Sequence, residues 1–391
     1  MRVKELSKKY KNYVRDMRRE FHMNPEESLK EYRTSKRIKE ELEKIGVQCE
    51  IVGETGVIGV IKGEREGKTI ALRGDIDALS VQENSDKDYA SKVPGMMHAC
   101  GHDAHGAMLL GAAKVLNEMK SEIKGEVRLF FQPGEELVRG ALKMIKDGAL
   151  EGVDSIFGLH VSSEMPVGTI CCDSGARCAS GDIFIIKVLG SGGHGAKPQE
   201  CVDTVVVTSA MVMNLQSIVS REIDPLEPAL LTIGIIKSGT RHNVIASEGV
   251  LEGTIRCYNP EVRKHFFESI ERVAKFTGET YRAKVQLEYI TGVNSLVNDI
   301  NCSNIATLTA GKIVGEKNII SKEPSMGGED FSEFSSRVPG VMTNLGARNE
   351  KEGIIYPHHH EKFDIDEEVL EIGVSMYVQY ALDYLNHCIL K

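Results

Sequence analysis

No stretch of this 391-residue chain approaches the ~20 consecutive apolar residues that a membrane-spanning helix requires. The longest apolar runs, such as Val205-Val206-Val207 and Ala229-Leu230-Leu231, are far shorter. The first residues, Met1-Arg2-Val3-Lys4-Glu5-Leu6-Ser7-Lys8-Lys9, lack the apolar core of a secretory signal. Basic charge is not in excess either: 48 Lys+Arg stand against 57 Asp+Glu, a net charge of −9. That balance argues against nucleic acid or an anionic membrane as the main partner. The cysteines number 9, an odd count at irregular spacing from Cys49 to Cys388, and do not read as a disulfide framework. Repeats, low-complexity tracts and Pro/Ser-rich linkers are missing as well. The expectation is a soluble, cytoplasmic protein. Its 41% hydrophobic and 27% charged residues suit a folded chain, and its length suits two domains.

Hydrophobic spacing predicts helices over the first ~45 residues, where Leu6, Tyr10, Tyr13, Val14 and Met17 recur at helical intervals. A second helix is expected over Thr34–Ile45, with Gly46 as its C-terminal cap. Strands follow at Gly56–Ile61 and Thr69–Arg73, a helix at Gly106–Met119, and strands at Glu126–Phe131 and Ser155–Val161. This alternation implies an α/β fold, a mixed sheet with helices on its faces. Between them and the C-terminal helix (Asp366–Leu385) lies a different rhythm. Strand Asp182–Leu189, helix Asp203–Arg221, strands Ala229–Lys237 and Val244–Tyr258, a helix opened by Pro260, and strand Lys284–Ile290 follow in turn. That is the βαββαβ order of a ferredoxin-like unit. We therefore expect a discontinuous domain of residues 1–181 and 293–391 interrupted by an insert at 182–292.

The residues able to do chemistry fall on loops after strands. Met97-His98-Ala99-Cys100-Gly101-His102-Asp103-Ala104-His105 packs three His, a Cys and an Asp into a short run before a helix. On a helix Cys100 and His102 would not face each other; in a turn relaxed by Gly101 both could meet one ion. Phe130-Phe131-Gln132-Pro133-Gly134-Glu135-Glu136 ends a strand in paired carboxylates, where open α/β sheets bind ligands. Adjacent side chains diverge, so one Glu could bind metal while the other moves protons. His160 ends another strand, and His358-His359-His360 lies near the C-terminus. Thiol, imidazole and carboxylate together are the ligand set of a transition-metal hydrolase: Zn, Mn, Co or Ni, and not a Ca- or Mg-type cage. Two-metal sites hold their ions about 3.5–4 Å apart. Other chemistries fit less well. Gly190–Lys197 is no Walker A loop, because Ala196 separates Gly195 from Lys197. Gly-x-Ser-x-Gly, His-Glu-x-x-His and Cys-x-x-Cys motifs do not occur. A Cys100 nucleophile activated by His102 would leave Glu135, Glu136 and His160 without a role.

Several blocks now stand in a familiar order: Arg73–Leu79, Met97–His105, Phe131–Glu136, Gly158–His160, Gly192–Pro198, Asn243–Ile245, Gly253–Arg256, Gly328–Phe331 and His359–Phe363. The chain resembles the metal-dependent aminoacylase/carboxypeptidase superfamily, in the branch of hippurate hydrolases, N-acyl-amino-acid amidohydrolases and auxin-conjugate hydrolases. Ser80, Gln199, Gly328 (in Gly327-Gly328-Glu329) and Glu361 depart from the usual family residues, and none is a proposed ligand. The resemblance implies two divalent transition-metal ions, bridged by Cys100 and held by His102, Glu136, His160 and His359. It makes Glu135 the general base, which deprotonates the attacking water at the metals and protonates the leaving amine. It assigns the insert as a lid and dimerisation domain whose His194, Asn243 and Arg256 hold the oxyanion or the substrate carboxylate, in this subunit or a partner's. Asp77 and Asp103 would orient ligating imidazoles. The implied substrate is an N-acyl amino acid, with a small peptide as the alternative, and the implied assembly is a homodimer or higher homo-oligomer. A metal-binding or interaction protein without activity is a further alternative, one that loss of Glu135 or of a ligand would mark.

Overall fold

The computed structural model of the chain describes residues 2–386; Met1 and residues 387–391, with the ninth cysteine Cys388, lie outside them. Two compact units emerge: Met1–Arg177 with Val297–Glu323 and Asp330–Lys391, and Cys178–Leu296 with Pro324–Glu329. Among the described residues no helix is long and apolar enough to cross a membrane.

The first unit is a mixed α/β layer structure. Its seven-stranded sheet runs in the order Gln48–Val52, Gly56–Lys62, Lys124–Gln132, Arg65–Asp75, Ser155–Pro166, Gly340–Arg348, Ile170–Cys171. Lys124–Gln132, Arg65–Asp75, Ser155–Pro166 and Gly340–Arg348 are mutually parallel, and the outer pairings are antiparallel. From Arg65–Asp75 the chain moves to the neighbour on one side and then to Ser155–Pro166 on the other. Ligands bind at such a reversal, beyond the carboxyl ends of the strands. The helix His102–Glu118 packs among the sheet, the N-terminal helices and the C-terminal helix, and is buried over most of its length. At Gly111 a Cβ would stand 2.5 Å from Val14 and 2.7 Å from Val374, so only glycine lets these three helices approach so closely.

The N-terminal helices span Arg2–Lys9, Lys11–Met23 and Tyr32–Lys44. Gly46, at φ +75°, ends the third as expected: its N–H reaches Glu43 O and that of Val47 reaches Leu42 O. Boundaries shift: the helix expected at Thr34–Ile45 spans Tyr32–Lys44, and the strands expected at Thr69–Arg73 and Ser155–Val161 run Arg65–Asp75 and Ser155–Pro166. The helix expected from Gly106 begins at His102, and the C-terminal helix begins at Glu368, because Asp366 accepts the Glu368 N–H and acts as a cap.

The second unit has a four-stranded antiparallel sheet ordered Ala229–Ser238, Glu248–Cys257, Ser180–Leu189, Lys284–Val293. With helices Thr204–Ser217 and Pro260–Thr280 on one face, this is the ferredoxin-like βαββαβ arrangement. Asp203 caps the first helix through the Val205 N–H, and Asn259 caps the second through the Glu261 N–H. The first ends at Ser217 and passes into a wider π-helical turn, Ile218–Glu222, where one helix to Arg221 was expected. The long strand expected over Val244–Tyr258 is broken: Val244–Ile245 pairs with Gly193–His194, and the main sheet takes only Glu248–Cys257.

Candidate metal centre

Asp75 and Gln132 end adjacent strands, and His160 lies level with them; it does not end its own strand as expected, because Ser155–Pro166 runs six residues past it. Asp75 pairs with Gln132, and the Arg73–Gly158 pairing sets His160 two residues further along beside Asp75. From this row the chain delivers Cys100 and His102 after one strand, Glu135 and Glu136 after the next, His160 on the third and His359 after the fourth.

These side chains converge. Ligand atoms of Cys100, His102 and His160 lie within 4.8 Å of one another, as do those of Cys100, Glu136 and His359, and of His102, Glu135 and Glu136. Cys100 Sγ is 3.6 Å from His160 Nε2, and Glu136 Oε1 is 3.4 Å from His359 Nε2 and 4.0 Å from His102 Nε2. Gly101 makes the first contact possible. At φ +92° it turns the chain between Cys100 and His102, and a Cβ there would meet Val161 Cγ2 at 2.4 Å.

The rings of His102 and His160 each turn Nε2 toward the centre. His102 Nδ1–H donates to Asp77 Oδ1 and to the Asp77 carbonyl, both at 3.1 Å, leaving Nε2 buried without a hydrogen bond. His160 Nδ1–H donates to Val161 O at 2.6 Å, leaving Nε2 toward the thiol. Among the three C-terminal histidines, His358 Nε2 accepts the Ser163 N–H, and His360 accepts the Lys362 N–H while stacking on Tyr356. His359 alone of these reaches Glu136. It does so from φ +66°, a left-handed backbone uncommon outside glycine, pinned by its N–H to Ala99 O at 2.8 Å.

The electrostatics call for positive charge. Burial opposes the charged form of His102, yet Asp75, Cys100 and Asp77 lift its pKa well above the usual imidazole range. Burial, with His105 and His358 nearby, holds His160 well below that range, so its ring is neutral. Burial pushes the Cys100 thiol up to about 12; a cation against the sulfur reverses this, because a coordinating thiol is deprotonated outright. Glu136 Oε1 and His102 Nε2 are buried polar atoms without hydrogen bonds, which costs stability unless something fills the space between. The donor set and these orphaned atoms fit divalent transition-metal ions.

Other residues take different places. Asp77 carries more than its imidazole: its second oxygen accepts from Ser28 Oγ at 2.6 Å and from the Glu136 N–H at 3.0 Å. Asp103 does not orient a ligand ring. Successive helical residues point ~100° apart, and its carboxylate turns away from His102 to Arg18 Nε and His22 Nδ1, each at 2.8 Å. His105, three residues past His102, was not anticipated as a supporting group. Its Nδ1–H donates to Asp75 and its Nε2 accepts the Val161 N–H at 2.9 Å, so neither nitrogen is left for a metal. Asp75 is in turn paired with Arg73 at 2.7 Å. His98 is buried with no hydrogen bond to either nitrogen, outside every ligand group.

In the second unit, His194 and Asn243 come together where Val244 pairs with His194 and the Gly195 N–H donates to Asn243 O at 3.0 Å. Arg256, donating to Met326 O at 3.0 Å, lies in the four-stranded sheet, opposite Gly181 at one end of the Glu248–Cys257 and Ser180–Leu189 pair. Eight residue steps separate Glu248 from Arg256, roughly 26 Å of extended strand.

Residues 71–383 match the profile of peptidase family M20/M25/M40. Thermostable carboxypeptidase 2 of Saccharolobus solfataricus is 40% identical over 389 residues, 98% of each chain. N-acetylcysteine deacetylase of Bacillus subtilis is 38% identical over 373 residues, 95% of this chain and 96% of that protein. Among solved structures, the YXEP protein of Bacillus subtilis, a dinuclear metal binding peptidase from the M20 family, matches with a TM-score of 0.86. It is 35% identical, with 97% of this chain and 99% of that one covered.

Proposed function

This chain belongs to peptidase family M20/M25/M40 and is a metal-dependent amidohydrolase; from that premise we propose that it cleaves the amide bond of N-acyl amino acids, releasing a carboxylic acid and a free amino acid. The observation that carries the reading is the convergence of Cys100, His102, Glu136, His160 and His359 with Glu135 beside them. Support for the substrate class comes from a relative named as an N-acetylcysteine deacetylase. The similar carboxypeptidase favours small peptides as a second reading.

Cys100, His102, Glu136, His160 and His359 are the residues we assign to two divalent ions, drawn from Zn, Mn, Co or Ni. Such ions polarise an amide carbonyl and acidify water. Glu135 takes the proton from the attacking water and hands it to the leaving nitrogen, so that the amine departs neutral. Glu135 and Glu136 bring carboxylate oxygens within 4.8 Å of each other instead of diverging as expected, so the two tasks we assign them, proton transfer and metal binding, share one small space. Asp77 fixes His102 in the tautomer that leaves Nε2 free and holds the Glu136 peptide in place. We assign the substrate carboxylate to Arg256, whose fork matches a carboxylate bidentately, and the reacting carbonyl to His194 with Asn243. His194 with Asn243, which lie at a small sheet of their own, are the end we assign to a second copy of the chain. The edge strand Ala229–Ser238, with Ile235 and Ile236 exposed, is the edge we propose for pairing with it.

The test is purified protein on N-acetyl amino acids, N-benzoyl amino acids and dipeptides, with and without chelator, and reloaded with each of the four metals. Hydrolysis of the acyl substrates that chelation abolishes is expected; dipeptide cleavage alone favours the second reading. Glu135→Gln should keep its metal and lose about 10²–10⁴-fold in kcat.

A further inference from the structure

The turn that carries Glu135 and Glu136 is not held by the metal ligands alone. Gly134, just before them, sits at φ +61°, and a Cβ there would meet Leu29 Cδ2 at 2.5 Å. Its N–H donates to Glu31 Oε1 at 2.8 Å. The same oxygen accepts the Leu29 N–H at 2.8 Å, and Glu31 Oε2 accepts from Thr55 Oγ1 at 2.5 Å. Glu31 is 0% exposed, with a backbone carbonyl that also accepts from Ser35. A buried carboxylate facing neutral donors is costly to keep unless its placement matters. Leu29 itself stands at φ +63°, so a second unusual backbone conformation is maintained to bring this carboxylate to the turn.

We propose that Glu31 is a positioning residue for the reaction. It fixes the peptide plane of Gly134, and through it the direction in which Glu135 leaves the turn. Two buried carboxylates thus grip the turn at alternate residues, Glu31 at the Gly134 N–H and Asp77 at the Glu136 N–H. With Glu31 removed, the Gly134 N–H loses its acceptor; the carbonyls of Gly134 and Glu135 still accept from Arg139, Gly140 and Val138, but no carboxylate then fixes the peptide plane just before Glu135. The inference rests on Glu135 as the general base.

Four variants test it: Glu31→Gln, Glu31→Asp, Glu31→Ala and, as the reference, Glu135→Gln. Gln keeps an oxygen for the two N–H donors and offers its amide to a reoriented Thr55 hydroxyl, so wild-type kcat is expected. Asp keeps the charge but is one methylene short of the turn. Misplacement by about 1 Å costs on the order of 10²-fold, so Asp and Ala should lower kcat ~10–100-fold. KM should stay within about threefold, measured on metal-saturated enzyme well below its unfolding temperature. A folded Asp or Ala variant with wild-type kcat overturns the proposal, and so does a Gln variant as slow as Ala. If Ala does not fold, the Asp and Gln pair decides. An active Glu135→Gln would instead overturn the reading of Glu135 as base, whatever Glu31 does.

Discussion

Asp77→Asn is the sharpest perturbation the centre allows, because it changes one atom and removes no volume. The native carboxylate faces donors only: His102 Nδ1–H on Oδ1, and Ser28 Oγ–H and the Glu136 N–H on Oδ2. An asparagine cannot satisfy both sides. If its oxygen stays toward His102, its NH2 meets the Glu136 N–H, a donor that cannot turn away. If it flips, the NH2 meets His102 Nδ1 and drives the ring to the tautomer with its proton on Nε2, the nitrogen meant for metal. Loss of such an orienting partner typically costs 10–100-fold in metal affinity, about 1.4–2.7 kcal/mol. The assay is competition with a calibrated chelator, followed by metal analysis of the protein, with circular dichroism to check the fold. Ser28→Ala, which removes a donor and leaves the carboxylate, should change affinity several-fold less. Unchanged metal affinity in Asp77→Asn would refute the reasoning that this carboxylate sets the His102 tautomer.

Other perturbations reach different parts of the molecule. Mixing inactive His194→Ala and Glu135→Gln chains under subunit exchange should restore about one quarter of wild-type activity if His194 serves a partner's site in a dimer; no recovery after confirmed exchange counts against that assignment. Gly101→Ala must adopt φ +92° and push against Val161, so we expect a stability loss of about 1–3 kcal/mol in denaturant titration together with lowered metal content; a variant with native stability and full metal would contradict the turn's role. Burial works against a charged Glu41, but Lys44, Tyr13 and Arg37 outweigh it and hold its pKa at about 2. Because the folded pKa lies below the unfolded one, this stabilisation is complete above about pH 4.5 and fades as pH falls toward 2. The stability gap between wild type and Glu41→Gln, on the order of 1–2 kcal/mol at neutral pH, should therefore shrink across that window; a pH-independent gap would argue against it.

The second unit was legible because its amphipathic strands alternate, and because Asp203, Asn259 and Pro260 announce helix starts by local chemistry. The start at His102 was not. That helix is buried all round, so hydrophobic periodicity is weak, and its first turn points polar groups inward to the centre and not toward water. The ligating residue types were legible as a set, since Cys, His and paired Glu after strands have few other uses. What supports them was not, for geometric reasons. Asp103 is next to His102 in sequence and yet faces Arg18. His105 shares the helix face of His102, three residues on, and carries a backbone amide instead of a metal. Glu31 and Ser28 reach the centre from a distant loop, and no local pattern marks either. The break after Ile245 has a packing cause: Gly193–His194 draws Val244–Ile245 out of the main sheet.

Four chain segments far apart in sequence supply the donors, each on a different parallel strand or in the chain that follows it. Such a donor array exists only in the folded chain, so occupancy and folding are thermodynamically linked. Every tenfold of free ion above its dissociation constant adds about 1.4 kcal/mol of resistance to unfolding. A cell poor in these ions would thus hold a pool of this protein that is slower to act and also shorter-lived, and trace-element supply would govern its abundance as well as its rate.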